Sequence, residues 1–258
     1  MPTVVITGAS MGIGRALALA WAARGATIVL SARGKDALEE VAREVEAKGG
    51  RALVEAGDVT DEAHRARLIE RAARDGGSLD VLVNNAGRGF YAPIPKIDVE
   101  ETRRLFELNV LAPLRLVQIA LPHLERARGT IVMMSSIAGV VAAPRYGAYA
   151  ASKFALEALS MSMRSELAGK GIRVVVIRPG PVATPFRANA TRAEGEVGYD
   201  APDPRAQSAE AVAALTLRAV DRAKPVVETS AYVRAVSAAA RIAPPALRLA
   251  LRRMATRR

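Results

Sequence analysis

Cysteine is absent from the chain, and histidine occurs only at His64 and His123. Disulfides and thiolate metal sites are therefore excluded, and a histidine-based triad or multi-histidine metal centre would have to draw on one or both of those rings. No metal is expected. Long apolar runs are missing too. The most apolar region, Val110 to Leu124, is broken by Pro113, Arg115 and Pro122, whereas a membrane-crossing helix needs about twenty apolar residues in a row. The start, Met1-Pro2, enters an apolar run at once and lacks the basic segment and small-residue cleavage site of a secretory leader. These absences point to a cytoplasmic protein. Acid is missing from the last thirty residues, which hold seven arginines; without those, the formal charge falls from +11 to +4. The basic balance is thus local, and the body does not read as a nucleic-acid binder. A mildly basic body suits a dinucleotide-sized polyanion or an acidic partner.

What is present is enough apolar material for a large core. Half of the 258 residues are hydrophobic, and the length fits one large α/β domain or two small ones. Strands are read at 3–7, 26–31, 51–55, 79–83, 130–134, 172–177 and 226–229. Helices are read at 15–24, 35–48, 61–74, 98–121, from Tyr149 to about Ala168, and at 208–222. The helix over 98–121 is expected to bend near Pro113, and the polar stretch 185–207, with Gly195, Gly198, Pro202 and Pro204, reads as a loop. Strict alternation, with strands that are continuous apolar runs, means a parallel sheet covered on both faces. Right-handed crossovers make it a doubly wound, Rossmann-type α/β fold. There is no internal repeat and no linker before residue 230. Residues 1–229 read as one domain and 230–258 as a basic amphipathic tail.

Three patterns carry chemistry. The first strand–turn–helix holds Gly8, Gly12 and Gly14, with Ser10 and Ile13 among them. Glycine suits a turn of positive φ and lets backbone approach a pyrophosphate, which the next helix holds with its free N–H groups and dipole. The second strand ends in Leu30-Ser-Ala-Arg33-Gly-Lys35. NAD sites usually place an acid there for the ribose 2′-OH; none is present, and Arg33 can pair with a 2′-phosphate. The reading favours NADP(H) and leaves NAD(H) open. Tyr149 and Lys153, four apart on a helix, share one face. An ammonium beside a phenol is expected to lower its pKa from ~10, which makes the pair an acid/base unit acting on an oxygen.

Together, Thr7-Gly-x-x-x-Gly-x-Gly14, Asn84-Asn-Ala-Gly87, Asn109, Ser136, Tyr149-x-x-x-Lys153 and Arg178-Pro-Gly-Pro-Val-Ala-Thr184 resemble the short-chain dehydrogenase/reductase family, in its single-domain branch. The resemblance covers residues 3 to about 229. It implies that Tyr149 gives a proton in reduction and takes one in oxidation. It implies that Lys153 lowers the Tyr149 pKa and hydrogen-bonds the nicotinamide ribose. Ser136, thirteen residues before Tyr149, would hold the substrate oxygen in preference to Ser135. Asn109 would hold a water linking Lys153 to solvent. Asp58 and Val59 would meet the adenine, while Asn85, Ala86 and Gly87 would lie along the cofactor. Pro179, Gly180, Val182 and Thr184 would hold the nicotinamide, and Ser10 and Arg33 would face the 2′-phosphate. Met11 departs from the pattern: many NADP-preferring relatives carry a basic residue in this turn, so Arg33 stands nearly alone. The implied reaction is hydride transfer between a nicotinamide and a ketone or secondary alcohol, with carbonyl reduction by NADPH the expected direction. The implied assembly is a homodimer or homotetramer built on the helices around 98–121 and 148–168.

Phe90, Tyr91, Val141, Tyr146 and Phe186 can wall an apolar pocket. In the tail, Ile242-Ala-Pro-Pro245 breaks one helix, and Leu247, Leu251 and Met254 recur at i, i+4, i+7 of the next, with Arg248 and Arg252 on a neighbouring face. Such a helix packs on the body or a partner subunit or stays a solvated tail, the favoured readings, or lies on an anionic membrane surface. The membrane reading would favour a hydrophobic or acyl-chain substrate. The alternative to an enzyme is an inactive relative serving as a dinucleotide-binding sensor or scaffold. A complete set of Asn109, Ser136, Tyr149 and Lys153 argues against it. A nucleic-acid arm, which would bind with steep salt dependence, is the least favoured reading of the tail.

Overall fold

Runs of apolar residues with no polar face become strands because both of their sides are covered. A computed structural model describes residues 1–195 and 203–256. Its strands are β1 (Thr3–Thr7), β2 (Thr27–Ala32), β3 (Arg51–Ala56), β4 (Val81–Asn84), β5 (Phe90–Tyr91), β6 (Thr130–Met134), β7 (Arg173–Arg178), β8 (Thr191–Arg192) and β9 (Val226–Glu228). Among the described residues, seven of them form one parallel sheet in the order β3-β2-β1-β4-β6-β7-β9. The strand order reverses beside β1, so a crevice opens at the carboxyl ends of β1 and β4, where ligands bind in doubly wound sheets.

The helices are α1 (Gly12–Ala22), α2 (Lys35–Ala47), α3 (Glu62–Asp75), α4 (Val99–Phe106), α5 (Ala112–Ala127), α6 (Gly147–Leu167), α7 (Ala209–Asp221), α8 (Ala231–Ile242) and α9 (Pro244–Thr256). Leu17, Trp21, Leu38, Val41, Val212 and Leu217, from α1, α2 and α7, meet Val4, Ile6, Ile28 and Leu30 on one face of the sheet. Leu68, Ile69, Leu116, Leu124, Leu156 and Met163, from α3, α5 and α6, meet Val5, Val29, Leu82 and Ile131 on the other. The two-residue alternation of each strand thus feeds two cores. Side-chain caps fix several helix starts. Asp61 accepts from the N–H groups of Ala63 and His64, Asp98 from Glu101, Ser208 from Ala211 and Ser230 from Val233.

The segment expected to bend near Pro113 is irregular slightly earlier. A wider π turn, Glu107–Leu111, joins α4 to α5. The cause is still Pro113: it has no N–H to give the Asn109 carbonyl four residues back, and the helix accommodates the lost rung by widening. The span Val99–Ala127 is long and apolar enough to cross a membrane by length and composition. Here its Leu105, Leu116, Val117, Ala120 and Leu124 are buried in the protein core, which accounts for that composition.

One further feature differs from the sequence reading. The stretch expected as a loop over 185–207 contains β8, which pairs in parallel with β5 through Phe90–Thr191 and Tyr91–Arg192; residues 196–202 of that stretch lie outside the described residues. In the tail, α8 packs against the body, with Val233 and Ser237 buried. Helix α9 turns Leu247 and Leu251 partly inward and leaves Arg248, Leu249 and Arg252 exposed. The Met254 side chain, third in that apolar stripe, lies outside the described residues.

Candidate active site

The glycine-rich turn after β1 is built by close approach. Gly8 and Gly12 have φ of +66° and +55°, a region that side chains disfavour. A Cβ at Gly14 would stand 2.1 Å from the Gly8 carbonyl oxygen and 2.7 Å from Asn85 Nδ2. No side chain caps the start of α1, so its first N–H groups face the crevice, with the positive end of the helix dipole behind them. Asn85 holds the turn from the far side: its Nδ2 donates to the carbonyls of Thr7 at 2.9 Å and Gly8 at 3.1 Å. Thr7, which opens the glycine motif but was given no role from sequence, accepts at Oγ1 from the N–H groups of both Asn85 and Ala86 at 3.0 Å. Its signal was a hydroxyl ending an otherwise apolar strand.

A cavity of about 1110 Å³ lies over this turn. Gly8, Gly12, Ile13, Asn85, Ala86, Gly87, Ser136, Tyr149, Lys153, Pro179, Gly180, Val182 and Thr184 all line it. The segment from Pro179 arches over the turn, for a Cβ on Gly12 would be 3.2 Å from Thr184 Cγ2. Ser10, Gly14, Arg33, Asp58, Val59 and Asn109 do not line the cavity. Ser10 belongs to the turn, and Arg33, Asp58 and Val59 follow the ends of β2 and β3 beside it. Burial works to raise the Asp58 carboxyl, but the Thr60 N–H and hydroxyl, at 2.9 and 2.8 Å, and the nearby Arg33 guanidinium hold it below its usual value. Beneath this rim, His64 is fully buried and shares a 2.9 Å hydrogen bond with Ser31 Oγ. It packs so tightly under Gly57 that a Cβ there would be 2.2 Å from its Nδ1. His64 therefore props the strand ends and has no access to the cavity.

Asn109 sits in the π turn, behind the cavity wall. Its Oδ1 accepts from the Arg88 N–H at 2.9 Å, and its Nδ2 donates to the Arg88 carbonyl at 2.9 Å and to Ser152 Oγ at 3.1 Å. The side chain thus pins the loop after β4 to α6. Its own carbonyl lacks the ordinary helical donor because residue 113 is proline.

Tyr149 and Lys153 share the inner face of α6, both buried. Ser136, in the turn after β6, accepts at Oγ from the Ala138 N–H at 3.1 Å and is the polar side chain that favours the Tyr149 phenolate. Lys153 Nζ lies 5.9 Å from the Tyr149 ring centre and donates to the Met134 carbonyl at 2.9 Å. The expected lowering of the phenol is not what this arrangement produces. Burial pushes Tyr149 up to about 12, with the Ser136 side chain opposing and Tyr146 adding to the rise. Burial likewise pushes Lys153 down to about 8, with Glu157 opposing. Desolvation outweighs the pair's attraction because the ammonium is turned toward a backbone carbonyl.

Aromatic rings wall the outer part of the cavity. Tyr91 meets Tyr146 edge-on with ring centres 5.3 Å apart, and Phe186 tilts over Tyr149 at 5.9 Å. Tyr91, Val141, Tyr146 and Phe186 line the cavity as expected. Phe90 does not: it packs with Leu105 and Ala148 inside a third core cluster. A polar cluster went unforeseen. Asp203 accepts from Arg187 at 3.3 Å and from Arg205 at 2.9 Å, and Arg205 stacks over the Tyr232 ring at 4.6 Å. These residues tie the loop after β7 to α8 at the cavity mouth, a link between distant segments with no local sequence pattern.

A glycine-lined crevice at a strand-order switch, beside a buried tyrosine and lysine on one helix, defines a dinucleotide-dependent oxidoreductase site. The family model for short chain dehydrogenases matches residues 2–195. An uncharacterized oxidoreductase of Methylorubrum extorquens is 38% identical over 209 residues, 80% of this chain and 84% of that one. The cis-4-hydroxycyclohexanecarboxylate dehydrogenase of Sinomonas cyclohexanicum is 42% identical over 188 residues, 71% of this chain and 74% of that one. The solved short-chain dehydrogenase of Sphingobium yanoikuyae in complex with NADPH superposes with a TM-score of 0.81 at 29% identity, covering 100% of this chain and 97% of that one. The chain belongs to the short-chain dehydrogenase/reductase family of oxidoreductases.

Proposed function

We propose that this protein is an NADP(H)-dependent carbonyl reductase that interconverts a ketone and a secondary alcohol, with Tyr149, Ser136 and Lys153 as its catalytic residues and Asn109 in support. The observation that carries the reading is the buried Tyr149, which lines one cavity together with Ser136 and Lys153, the other end of that cavity being the glycine-rich turn. The residues fit a dinucleotide. Gly8, Gly12 and Gly14 leave room for a pyrophosphate at the uncapped start of α1. Ala86, Gly87 and the Pro179–Thr184 segment would enclose the nicotinamide half. Asp58 and Val59 would border the adenine. Exposed Arg33 and the neighbouring Ser10 would meet a 2′-phosphate, and the likeness to a structure solved with NADPH favours the same choice. When bound, the cofactor supplies or accepts a hydride.

The protein's own residues handle the oxygen. With a pKa near 12, Tyr149 is a protonated phenol at neutral pH, the form that can give a proton to a carbonyl oxygen as charge grows there. The Ser136 hydroxyl stands beside it and polarises the same oxygen. Lys153 is mostly protonated at neutral pH with a pKa near 8. Swung from the Met134 carbonyl toward the cofactor ribose, it would bring its charge to the phenol and lower the barrier to proton loss. The aromatic wall suits a hydrophobic ketone, and the likeness to a cyclohexanecarboxylate dehydrogenase adds alicyclic substrates to acyl-chain ones.

Exposed Val99, Leu111, Phe154 and Met161 lie on α4, the π turn and α6, where a second copy would bury them in a homodimer or homotetramer. We read the protein as cytoplasmic and α9 as packed on the body. The test is NADPH consumption with a panel of aliphatic, alicyclic and β-keto ester ketones, followed by Tyr149→Phe. Turnover is expected to fall about 10²–10⁴-fold in the variant while NADPH binding persists. Tight NADPH binding with no turnover on any ketone would favour a sensor or scaffold instead.

A further inference from the structure

One charged pair inside the protein is not explained by the fold. Glu157 lies one turn beyond Lys153 on α6 and is 6% exposed; Arg178, the last residue of β7, is 8% exposed. Arg178 Nε and Nη2 donate to the two Glu157 oxygens, each at 2.8 Å, and Nη1 donates to Glu228 on β9 at 3.4 Å. Buried pairs of this kind contribute little net stability, because desolvating both charges costs about as much as their attraction returns. An apolar residue at 178 would continue the buried run of β7, which after exposed Arg173 is Val174, Val175, Val176 and Ile177. The pair's position is informative. Arg178 directly precedes Pro179-Gly180, and Glu157 touches the loop after β6 at Gly139, where a Cβ would be 3.0 Å from Glu157 Cγ and 2.7 Å from Ser135 Oγ.

We propose that Glu157 is a positioning residue of the candidate active site: held by Arg178 one turn along α6 from Lys153, its buried carboxylate is the counter-charge that balances the Lys153 ammonium. The proposal rests on the assignment of Lys153 to the catalytic site. The groups that face Lys153 are few. Tyr149 and Glu157 lie on its own helix, the Met134 carbonyl on β6 accepts its hydrogen bond, and Asn109 and Gly87 border it from the π turn and the loop after β4. Arg178, with Glu228 and Arg164 around it, forms the outer layer. Glu157 is thus the anion closest to hand. Its charge raises the Lys153 pKa against the burial that lowers it.

The experiment is an NMR titration of the full chain carrying ¹³Cε-lysine, with Lys153→Arg identifying which of the six lysines is Lys153. In Glu157→Gln the Lys153 midpoint is expected to fall by about one pH unit, and in Arg178→Gln, which releases the carboxylate from its partner, to rise. A purely structural role predicts no such opposite signs. The double replacement Glu157→Met with Arg178→Met keeps volume, removes both buried charges and is expected to fold; its midpoint should also lie below wild type. Equal midpoints in wild type and the double variant, or single variants that shift in the same direction, overturn the proposal. The titration needs no substrate, so its failure is separable from failure to find a ketone that turns over.

Discussion

Replacing Lys153 by methionine gives a direct measure of how strongly the fold resists the charge at its centre. Burial lowers the Lys153 pKa from 10.5 to about 8. Below pH 8 the folded and unfolded chains both carry the proton, so the Lys153 contribution does not change with pH. Between pH 8 and 10.5 the folded protein has released it and the unfolded chain has not. The unfolded state then binds more protons, and stability rises with pH by about 1.4 kcal/mol per pH unit, or about 3 kcal/mol over the whole window. Tyr149 acts oppositely, losing stability between its ordinary 10 and its raised value of about 12. That effect is common to both proteins and cancels in their difference. The assay is urea unfolding of wild type and Lys153→Met at pH 7, 8, 9 and 10. The difference in unfolding free energy should be flat from pH 7 to 8 and then move by about 2–3 kcal/mol in favour of wild type by pH 10. A difference that stays constant across the series would refute the reasoning, since Lys153 would then titrate as an ordinary lysine. A difference moving the other way would mean that the folded site raises the lysine.

Gly14→Ala places a Cβ 2.1 Å from the Gly8 carbonyl oxygen, so it should cost about 1–3 kcal/mol and lower Tm by about 3–10 °C; Gly169→Ala, with nothing within 4 Å, should leave Tm within about 1 °C in the same melting assay. Arg33→Glu should raise the KM for NADPH about 10–100-fold and lower that for NADH, as expected for loss of a charge-assisted contact; unchanged cofactor preference in steady-state assays would remove Arg33 from 2′-phosphate recognition. Truncation after Ala243 removes α9 while keeping the buried Val233 and Ser237 of α8, and pelleting with anionic vesicles should match that of the full chain. Loss of pelleting on truncation would instead make α9 a membrane contact.

The sheet was legible because a strand buried on both faces is a nearly continuous apolar run, and Thr3–Thr7 and Thr130–Met134 are such runs with threonine only at their ends, buried from end to end. The glycine-rich turn and the Tyr149–Lys153 pair were legible because local spacing determines both. What escaped were features made by distance. The pairing of β5 with β8 involves two residues from each of two loops, far too short for any periodicity. Glu157 and Arg178 each look like a solvated charge in isolation and become a pair only once α6 lies against β7. The direction of the Tyr149 shift also needed the structure. Spacing shows that an ammonium shares the helix face; it does not show that the ammonium donates to Met134 or that the phenol is desolvated. Pro113 was a correct signal of irregularity, displaced because a proline disturbs the turn before it.

The short β5–β8 ladder has a consequence for how this scaffold diversifies. Thr191 N–H donates to the Gly89 carbonyl at 3.0 Å, Ala193 N–H to Tyr91 at 3.2 Å, and Ala92 N–H to Arg145 at 2.9 Å. Each of these stitches joins main chain to main chain, so none depends on which side chain happens to be present. Mutations at Tyr91 and Arg145, which line the cavity, can therefore rewrite its wall while the main-chain frame that holds them stays fixed. A lineage built this way can change its taste in substrates without relearning its chemistry.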